Sequence, residues 1–276
     1  MARIRLDQLL TDRGLARSRA EAQALIHAGE VELDGNRRLK PGQMVAADAP
    51  IAVLEKPRWA SRAGAKLEAA LDAFTIDVAG LAALDAGAST GGFTDVLLDR
   101  GARVVYAVDV GRAQLIDRLR RDPRVVSMER TNLRELRSLP EPIQLATLDL
   151  SFISLTLVLP AVRELLDPMG RVVALVKPQF EAGRDDVPRG GVVCEPETWR
   201  RVLETVSGSA GGIGLHPWHV IRSPLTGGDG NVEFLMELRA SRAVGGIGRE
   251  IEAAVTAPSG QPPAVSEHGN GRSRRP

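Results

Sequence analysis

Apolar positions recur along this chain with two periods, and the alternation between those periods sets the expected fold. Residues 5–14 place leucines at helical spacing and stop at Gly14, a suitable helix C-cap. Ser18 then caps a second helical run over 19–28, with Glu21 completing a capping box and Gly29 ending it. Residues 30–35 read as a short strand running into an Asp34-Gly35 turn, and Lys40-Pro41-Gly42 turns the chain again before Val45. Residues 1–54 are therefore expected to form a compact α+β module, and 55–62, with Pro57 as a stop, a linker. Beyond it, strands are predicted near 82–85, 104–108, 125–128, 145–149, 172–177, 218–223 and 232–238. Helices are predicted near 64–73, 92–100, 112–121, 155–166 and 197–211. That alternation predicts an α/β domain over 63–240, a doubly wound, mostly parallel, Rossmann-like sheet. Residues 241–276 form an extension: a short helix near 247–255, then a tail rich in Gly, Pro and Ser that is expected to be disordered.

Composition narrows the class. A hydrophobic content of 43% with 26% charged residues fits a globular protein, and no apolar run is long enough to cross a membrane. The beginning of the chain shows no signal-peptide core, and the lone Cys194 fits a reducing compartment, so a cytoplasmic location is expected. The histidines and the cysteine lack metal-ligand spacing, so no metal is expected. The net charge of +1 hides an asymmetry: 11 basic against 8 acidic residues over 1–62, and 19 against 24 over 63–238. The basic surplus at the ends suits a polyanionic partner held outside a catalytic core. Of 36 basic residues only Lys40, Lys56, Lys66 and Lys177 are lysine. Arginine stays charged, whereas lysine can give up its proton, so a lysine inside a motif invites a chemical reading.

The stretch Leu84-Asp85-Ala86-Gly87-Ala88-Ser89-Thr90-Gly91-Gly92-Phe93 reads as strand, tight glycine turn and helix start, the geometry that receives a nucleotide-like ligand. A P-loop would need Gly-Lys-Ser/Thr, and no lysine is near. The glycines also miss the Gly-x-Gly-x-x-Gly spacing of a dinucleotide site. Asp109 ends the next strand, where an acid can take ribose hydroxyls. An acid before the turn and another after the second strand form the pattern of S-adenosylmethionine (SAM) methyltransferases, with NAD binding as the alternative. The candidate cofactor residues are Asp85, Gly87, Ser89, Thr90, Gly91, Gly92, Phe93, Asp109 and Asp149.

Four further residues stand where an open α/β sheet binds its substrate. Lys66 opens the helix before the first strand, Asp149 ends the fourth strand, and Lys177 ends the fifth. Glu233 begins the last strand, so it reaches the same rim only if that strand runs antiparallel. The Asp149-Leu150-Ser151-Phe152 segment lacks the prolines of amino-group methyltransferases, and Cys194 lacks the context of a cytosine-attacking nucleophile.

Lys66-Asp149-Lys177-Glu233 resembles the tetrad of FtsJ-type ribose 2′-O-methyltransferases, and residues 1–54 resemble the S4 RNA-binding domain. The latter likeness rests on Arg-Leu-Asp-x-Leu-Leu, Gly-Leu-Ala-x-Ser-Arg-x-Glu-Ala, Leu-Ile-x-x-Gly-x-Val and Asp-Gly. From about residue 4 to 240 the chain resembles the TlyA (hemolysin A) family, carried by Ser-Arg-x-Gly-x-Lys-Leu, Asp-Leu-Ser-Phe-Ile-Ser, Val-Lys-Pro-Gln-Phe-Glu and Gly-Asn-x-Glu. Ala63 departs from the glycine that many members carry there. The resemblance implies SAM-dependent methylation of cytidine ribose in 16S or 23S ribosomal RNA or both, with Lys177 as base and Lys66, Asp149 and Glu233 around it. It implies RNA contacts by Arg5, Arg13, Arg17, Arg19, Arg37, Arg38 and Lys40, ribosomal RNA or subunits as partners, and a monomer. The alternative is a non-catalytic RNA-binding assembly factor on a methyltransferase scaffold. A pore former finds no support in the sequence.

Overall fold

The computed structural model describes residues 3–27, 31–36, 39–53, 58–228, 230–241 and 246–258. It divides into two compact units, Met1–Arg58 and Trp59–Pro276.

The first unit contains β1 (Arg3–Arg5), α1 (Leu6–Asp12), α2 (Arg19–His27), β2 (Val31–Leu33), β3 (Met44–Ala46) and β4 (Ile51–Val53). Strand β1 pairs antiparallel with β3, and β2 with β4. β1, β3 and β4, which the apolar pattern does not reveal, are three residues each, too short for alternation to show; β2 is equally short and is marked only by the Asp34-Gly35 turn that follows it. The leucine face of α1 buries Leu6, Leu9 and Leu10 against Ala22 and Ile26 of α2 and Val31 of β2. Half of the expected capping box forms: Ser18 Oγ accepts the Glu21 N–H at 3.2 Å, but the Glu21 carboxylate reaches the N–H of Arg17, one residue before the cap, at 2.7 Å. Asp34 (φ 49°) and Gly35 (φ 77°) take the two left-handed positions of a tight hairpin turn, closed by reciprocal Leu33–Asn36 backbone bonds.

The second unit is built on a seven-stranded sheet. Its elements are α3 (Ala63–Ala73), β5 (Ala82–Ala86), α4 (Gly92–Asp99), β6 (Val104–Asp109), α5 (Asp117–Arg120) and β7 (Val125–Glu129). They continue with β8 (Ile143–Leu148), α6 (Leu159–Leu165), β9 (Leu166–Val176), α7 (Pro178–Glu181), α8 (Pro196–Gly212), β10 (His216–Arg222), β11 (Phe234–Arg239) and α9 (Gly248–Thr256). The strand order is β10-β11-β9-β8-β5-β6-β7. Strands β5 to β9 are mutually parallel, while β11 runs antiparallel to both β9 and β10. This inserted antiparallel strand departs from the dinucleotide-binding order, in which the sixth strand completes a parallel sheet.

Side-chain alternation divides the core into two layers. Leu84, Ala146, Val172 and Val176 face α6, α8 and α9, whereas Ala83, Leu145, Val173 and Leu175 face α3, α4 and α5. Burial on both faces gives these strands the near-continuous apolar runs that made them legible in sequence. Two helices differ from expectation. The helix predicted over 112–121 shrinks to α5, because Ala113 adopts a left-handed φ of 51° and no helix passes through it. The one predicted over 155–166 splits into a 3₁₀ turn at Leu155–Leu157 and α6, with β9 already starting at Leu166. No helix among the described residues is long and apolar enough to cross a membrane.

Candidate active site

Strand order reverses between β5 and β8, and the turn after β5 lies at that switch point, where open α/β sheets bind ligands. Gly87 sits there at φ 84°, and a Cβ on it would come within 2.3 Å of the Asp149 carbonyl oxygen after β8. Only glycine lets the two strand ends approach so closely. Gly91 caps α4 at φ 100°, with its Cα face against Leu115 and Leu119, and Gly92 packs against Ser61 and Ala63. Phe93 is buried in the core beside them. These three anchor the helix start, while Ala88 and Ser89 line the crevice, and Thr90 sits half-buried between the two groups.

The crevice continues over β6 and β7, lined by Ala88, Ser89, Asp109, Gln114, Leu115 and Glu129. The Asp109 carboxylate accepts the Ser89 N–H at 2.8 Å and the Gly111 N–H at 2.6 Å, which fixes its position at the strand end. Glu129 uses one oxygen to accept the Ala113 N–H at 2.7 Å, while its buried Oε1 has no partner among the described residues. An unpaired buried acceptor beside a positioned carboxylate fits the amino and hydroxyl donors of an adenosine group. Glu129 was not singled out from sequence; its position at the end of β7, one strand beyond Asp109, is the signal that marks it.

Asp85 is fully buried at the end of β5. It accepts hydrogen bonds from Thr94 Oγ1 at 2.6 Å and Thr147 Oγ1 at 3.5 Å, and burial pushes its carboxyl up to about 7. Both threonines reach it because α4 lies above β5 and Thr147 is its register partner on β8.

The tetrad residues fall in a row along the same rim. Lys177 Nζ lies 2.7 Å from Asp149 Oδ1, and Lys66 Nζ lies 2.5 Å from Glu233 Oε2. Because β11 is antiparallel to β9, with Phe234 opposite Val176, Glu233 comes level with Lys177. The condition placed on Glu233 by its position at a strand start is thereby met. Both lysines are only 9% exposed and Glu233 3%. Taking two ion pairs out of water costs about what their attraction returns, so such pairs are poor devices for stability alone. Lys177 also donates to Ser151 Oγ at 3.1 Å. Next to Ser151, Phe152 holds a left-handed φ of 63° and is 90% exposed, its ring 5.0 Å from that of Phe180. An exposed aromatic with strained backbone next to the residue that Lys177 bonds is a functional signature that the sequence pattern did not reveal.

The arginines assigned to RNA behave unequally. Arg5 and Arg19 both bond the buried Asp7, at 2.8 and 3.1 Å, and remain about half exposed. Arg13 donates to the carbonyls of Ala47 and Ala49, which ties it to its own unit. Arg17 and Lys40 are exposed, and Arg37 and Arg38 lie outside the described residues. Among the described residues no group of three or more His, Cys, Asp or Glu side chains could hold a metal ion.

The switch-point crevice, its adenosine-compatible acceptors and the antiparallel strand insertion are features of a SAM-dependent methyltransferase. Comparison with known proteins agrees. Residues 59–240 match the FtsJ-like methyltransferase model, and residues 4–51 match the S4 domain. The chain is 48% identical over 256 residues to the Mycobacterium tuberculosis 16S/23S rRNA (cytidine-2′-O)-methyltransferase TlyA, covering 90% of this chain and 95% of that one. It is 38% identical over 238 residues to hemolysin A of Brachyspira hyodysenteriae, covering 84% and 98%. A solved structure from Streptococcus thermophilus, named a hemolysin, aligns with a TM-score of 0.72 at 42% identity, covering 92% of this chain and 95% of that one. The chain belongs to the FtsJ-like methyltransferase family, among its S4-domain-bearing TlyA and hemolysin A members.

Proposed function

We propose that this enzyme methylates the ribose 2′-hydroxyl of cytidine in ribosomal RNA, at the site formed by Lys66, Asp149, Lys177 and Glu233. The observation that carries the reading is the two lysine–carboxylate pairs at the strand ends beside the glycine turn, Lys66–Glu233 buried and Lys177–Asp149 half-buried at the rim. Asp109 and Glu129 with the 87–92 turn would hold the cofactor, while Asp85 lies buried beneath the turn, tied to Thr94 and Thr147. Bound SAM supplies an electrophilic methyl group on a sulfonium.

A ribose hydroxyl is a weak nucleophile at neutral pH, so its proton must be steered or removed as the oxygen attacks. Lys177 Nζ takes that proton in its neutral form, after giving one up to solvent, and Asp149, 2.7 Å away, holds the ammonium that forms until its proton returns to water. Ser151 fixes the lysine rotamer from the other side. Lys66, locked to Glu233, adds positive potential where the oxygen becomes anionic. Holding the hydroxyl in line with the methyl supplies a further part of the rate. The exposed Phe152, backed by Phe180, offers a face on which the target base stacks once it leaves its neighbours.

The S4 unit (residues 1–54) holds the RNA backbone, and the unit over 63–240 carries out the transfer. A small backbone-gripping module reads shape more readily than sequence, which favours an assembled subunit over free RNA. The substrate is 16S or 23S ribosomal RNA or both, and the helix α9 after the catalytic unit resembles the C-terminal extension of members that act on both. The enzyme acts in the cytoplasm as a monomer.

The test is methyl transfer from labelled SAM to purified subunits and to naked ribosomal RNA, with Lys177→Arg alongside. Arginine keeps the cation but cannot accept a proton, so turnover is expected to fall by roughly 100-fold or more. Near-normal turnover in the variant would rule out Lys177 as base. RNA binding without label on either substrate would favour an assembly factor.

A further inference from the structure

Two loops meet at the acceptor side of the site, one after β8 and one after β9, and three sets of contacts bind them together. At the inner end, Lys177 joins Asp149 at 2.7 Å and Ser151 at 3.1 Å. In the middle, the rings of Phe152 and Phe180 lie 5.0 Å apart, tilted by 49°. At the outer end, Glu181 accepts from Ser154 Oγ at 2.6 Å and from the Leu155 N–H at 2.8 Å. Phe152 thus sits on a short span clamped on both sides. A left-handed φ of 63° is unfavourable for an aromatic residue, and such a conformation persists only where the surroundings over-determine it.

The inner clamp belongs to the tetrad, whereas nothing in the chemistry requires the outer one. We infer that Glu181 is a positioning residue: its carboxylate locks the 152–155 segment so that Phe152 is presented to the target base. This rests on the reading of Phe152 as the base-stacking face. The hydrogen-bond chemistry separates this role from a need for charge. A glutamine at 181 keeps an oxygen for the Leu155 N–H, and its amide can donate to Ser154 Oγ, whose own proton then turns to Thr156 Oγ1, 2.7 Å away. The clamp survives in Glu181→Gln and is lost in Glu181→Ala.

The experiment measures kcat/KM for ribosomal RNA and the Kd for SAM, on the full chain. The proteins are wild type, Glu181→Gln, Glu181→Ala, Ser154→Ala, Phe152→Ala and the Phe152→Ala/Glu181→Ala double variant. Glu181→Ala is expected to lower kcat/KM for RNA about tenfold, with the SAM Kd within about twofold of wild type. Ser154→Ala should move in the same direction by a smaller factor, and Glu181→Gln should stay within about threefold of wild type. In the Phe152→Ala background, removing Glu181 should add less than about twofold, because the group it positions is gone. Glutamine behaving like alanine, or a full tenfold loss in the double variant, would overturn the inference. A Phe152→Ala variant as active as wild type would instead overturn the stacking role, and with it this one. Should Glu181→Ala not fold, Ser154→Ala and an added Phe152→Ala/Ser154→Ala double variant decide the matter in the same way.

Discussion

Asp85 carries an ionisation that couples the cofactor turn to folding. In the unfolded chain its carboxyl titrates near 3.8, and burial raises it to about 7 in the folded protein. A folded state that holds its proton more tightly is favoured at low pH. The contribution is complete below about pH 4 and is lost as pH rises through about 7, on the order of 4 kcal/mol in all. Urea unfolding of the cofactor-free protein at pH 4.5 and pH 8 should show this component in wild type and lack it in Asp85→Asn. An identical pH dependence in both proteins would contradict the assignment. Gly87 is the second telling residue. Gly87→Ala would force a Cβ against the Asp149 carbonyl oxygen at a φ reserved for glycine, so calorimetry should find SAM binding weakened at least tenfold and the Tm lowered. Both positions were legible in sequence, as were the two lysines, because each sits at a strand end or turn where its residue type is unusual. Glu129, Phe152 and Glu181 were not, since their significance comes from unpaired atoms, backbone conformation and partners on other strands.

At the level of elements, the apolar runs of β5, β6, β8 and β9 announced themselves, because strands buried on both faces have few polar positions to confuse the pattern. The order of those strands, and the reversal of β11, lay outside the reach of periodicity. That reversal is what brings Glu233 level with Lys177 and leaves Lys66 to pair with Glu233 rather than with Asp149. The helix over 248–256 is a case where a pattern in sequence became a docked element. Ile251, Ala254 and Val255 of α9 join the core, and Glu250 accepts the Val220 N–H at 3.0 Å and pairs with His219 at 3.0 Å. The Glu250 carboxylate holds the His219 imidazole above its usual 6.5. This part of the docking is therefore complete below about pH 6.5 and is lost as pH rises through the raised value. Hydrogen exchange of 248–256, corrected for intrinsic rates, should show less protection at pH 8.5 than at pH 6. Glu250→Gln should remove the difference; a helix equally protected at both pH values would argue against the His219 link.

Across the whole molecule, charge and chemistry are divided between the two units. The S4 unit carries the basic surplus and exposes Arg5, Arg17, Arg19 and Lys40, whereas the methyltransferase unit carries the Lys66–Glu233 and Lys177–Asp149 pairs proposed as the catalytic site. Contacts to phosphate release counterions, so each one removed lowers affinity and flattens the salt dependence. Arg17→Ala should weaken binding to ribosomal RNA and reduce the magnitude of the slope of log K against log salt by about one or less, leaving the SAM Kd unchanged. An unaltered slope would place Arg17 away from the RNA. The central claim, that this division of labour ends in methylation of a ribose oxygen at the tetrad, is tested most directly by the position of the transferred methyl. Ribosomal RNA labelled from SAM by wild type and by Lys177→Ala would be digested to nucleosides and resolved by mass spectrometry. The account predicts label in 2′-O-methylcytidine for wild type and none for the variant, whose SAM Kd remains that of wild type. Label on a base, or label retained by the variant, would contradict it.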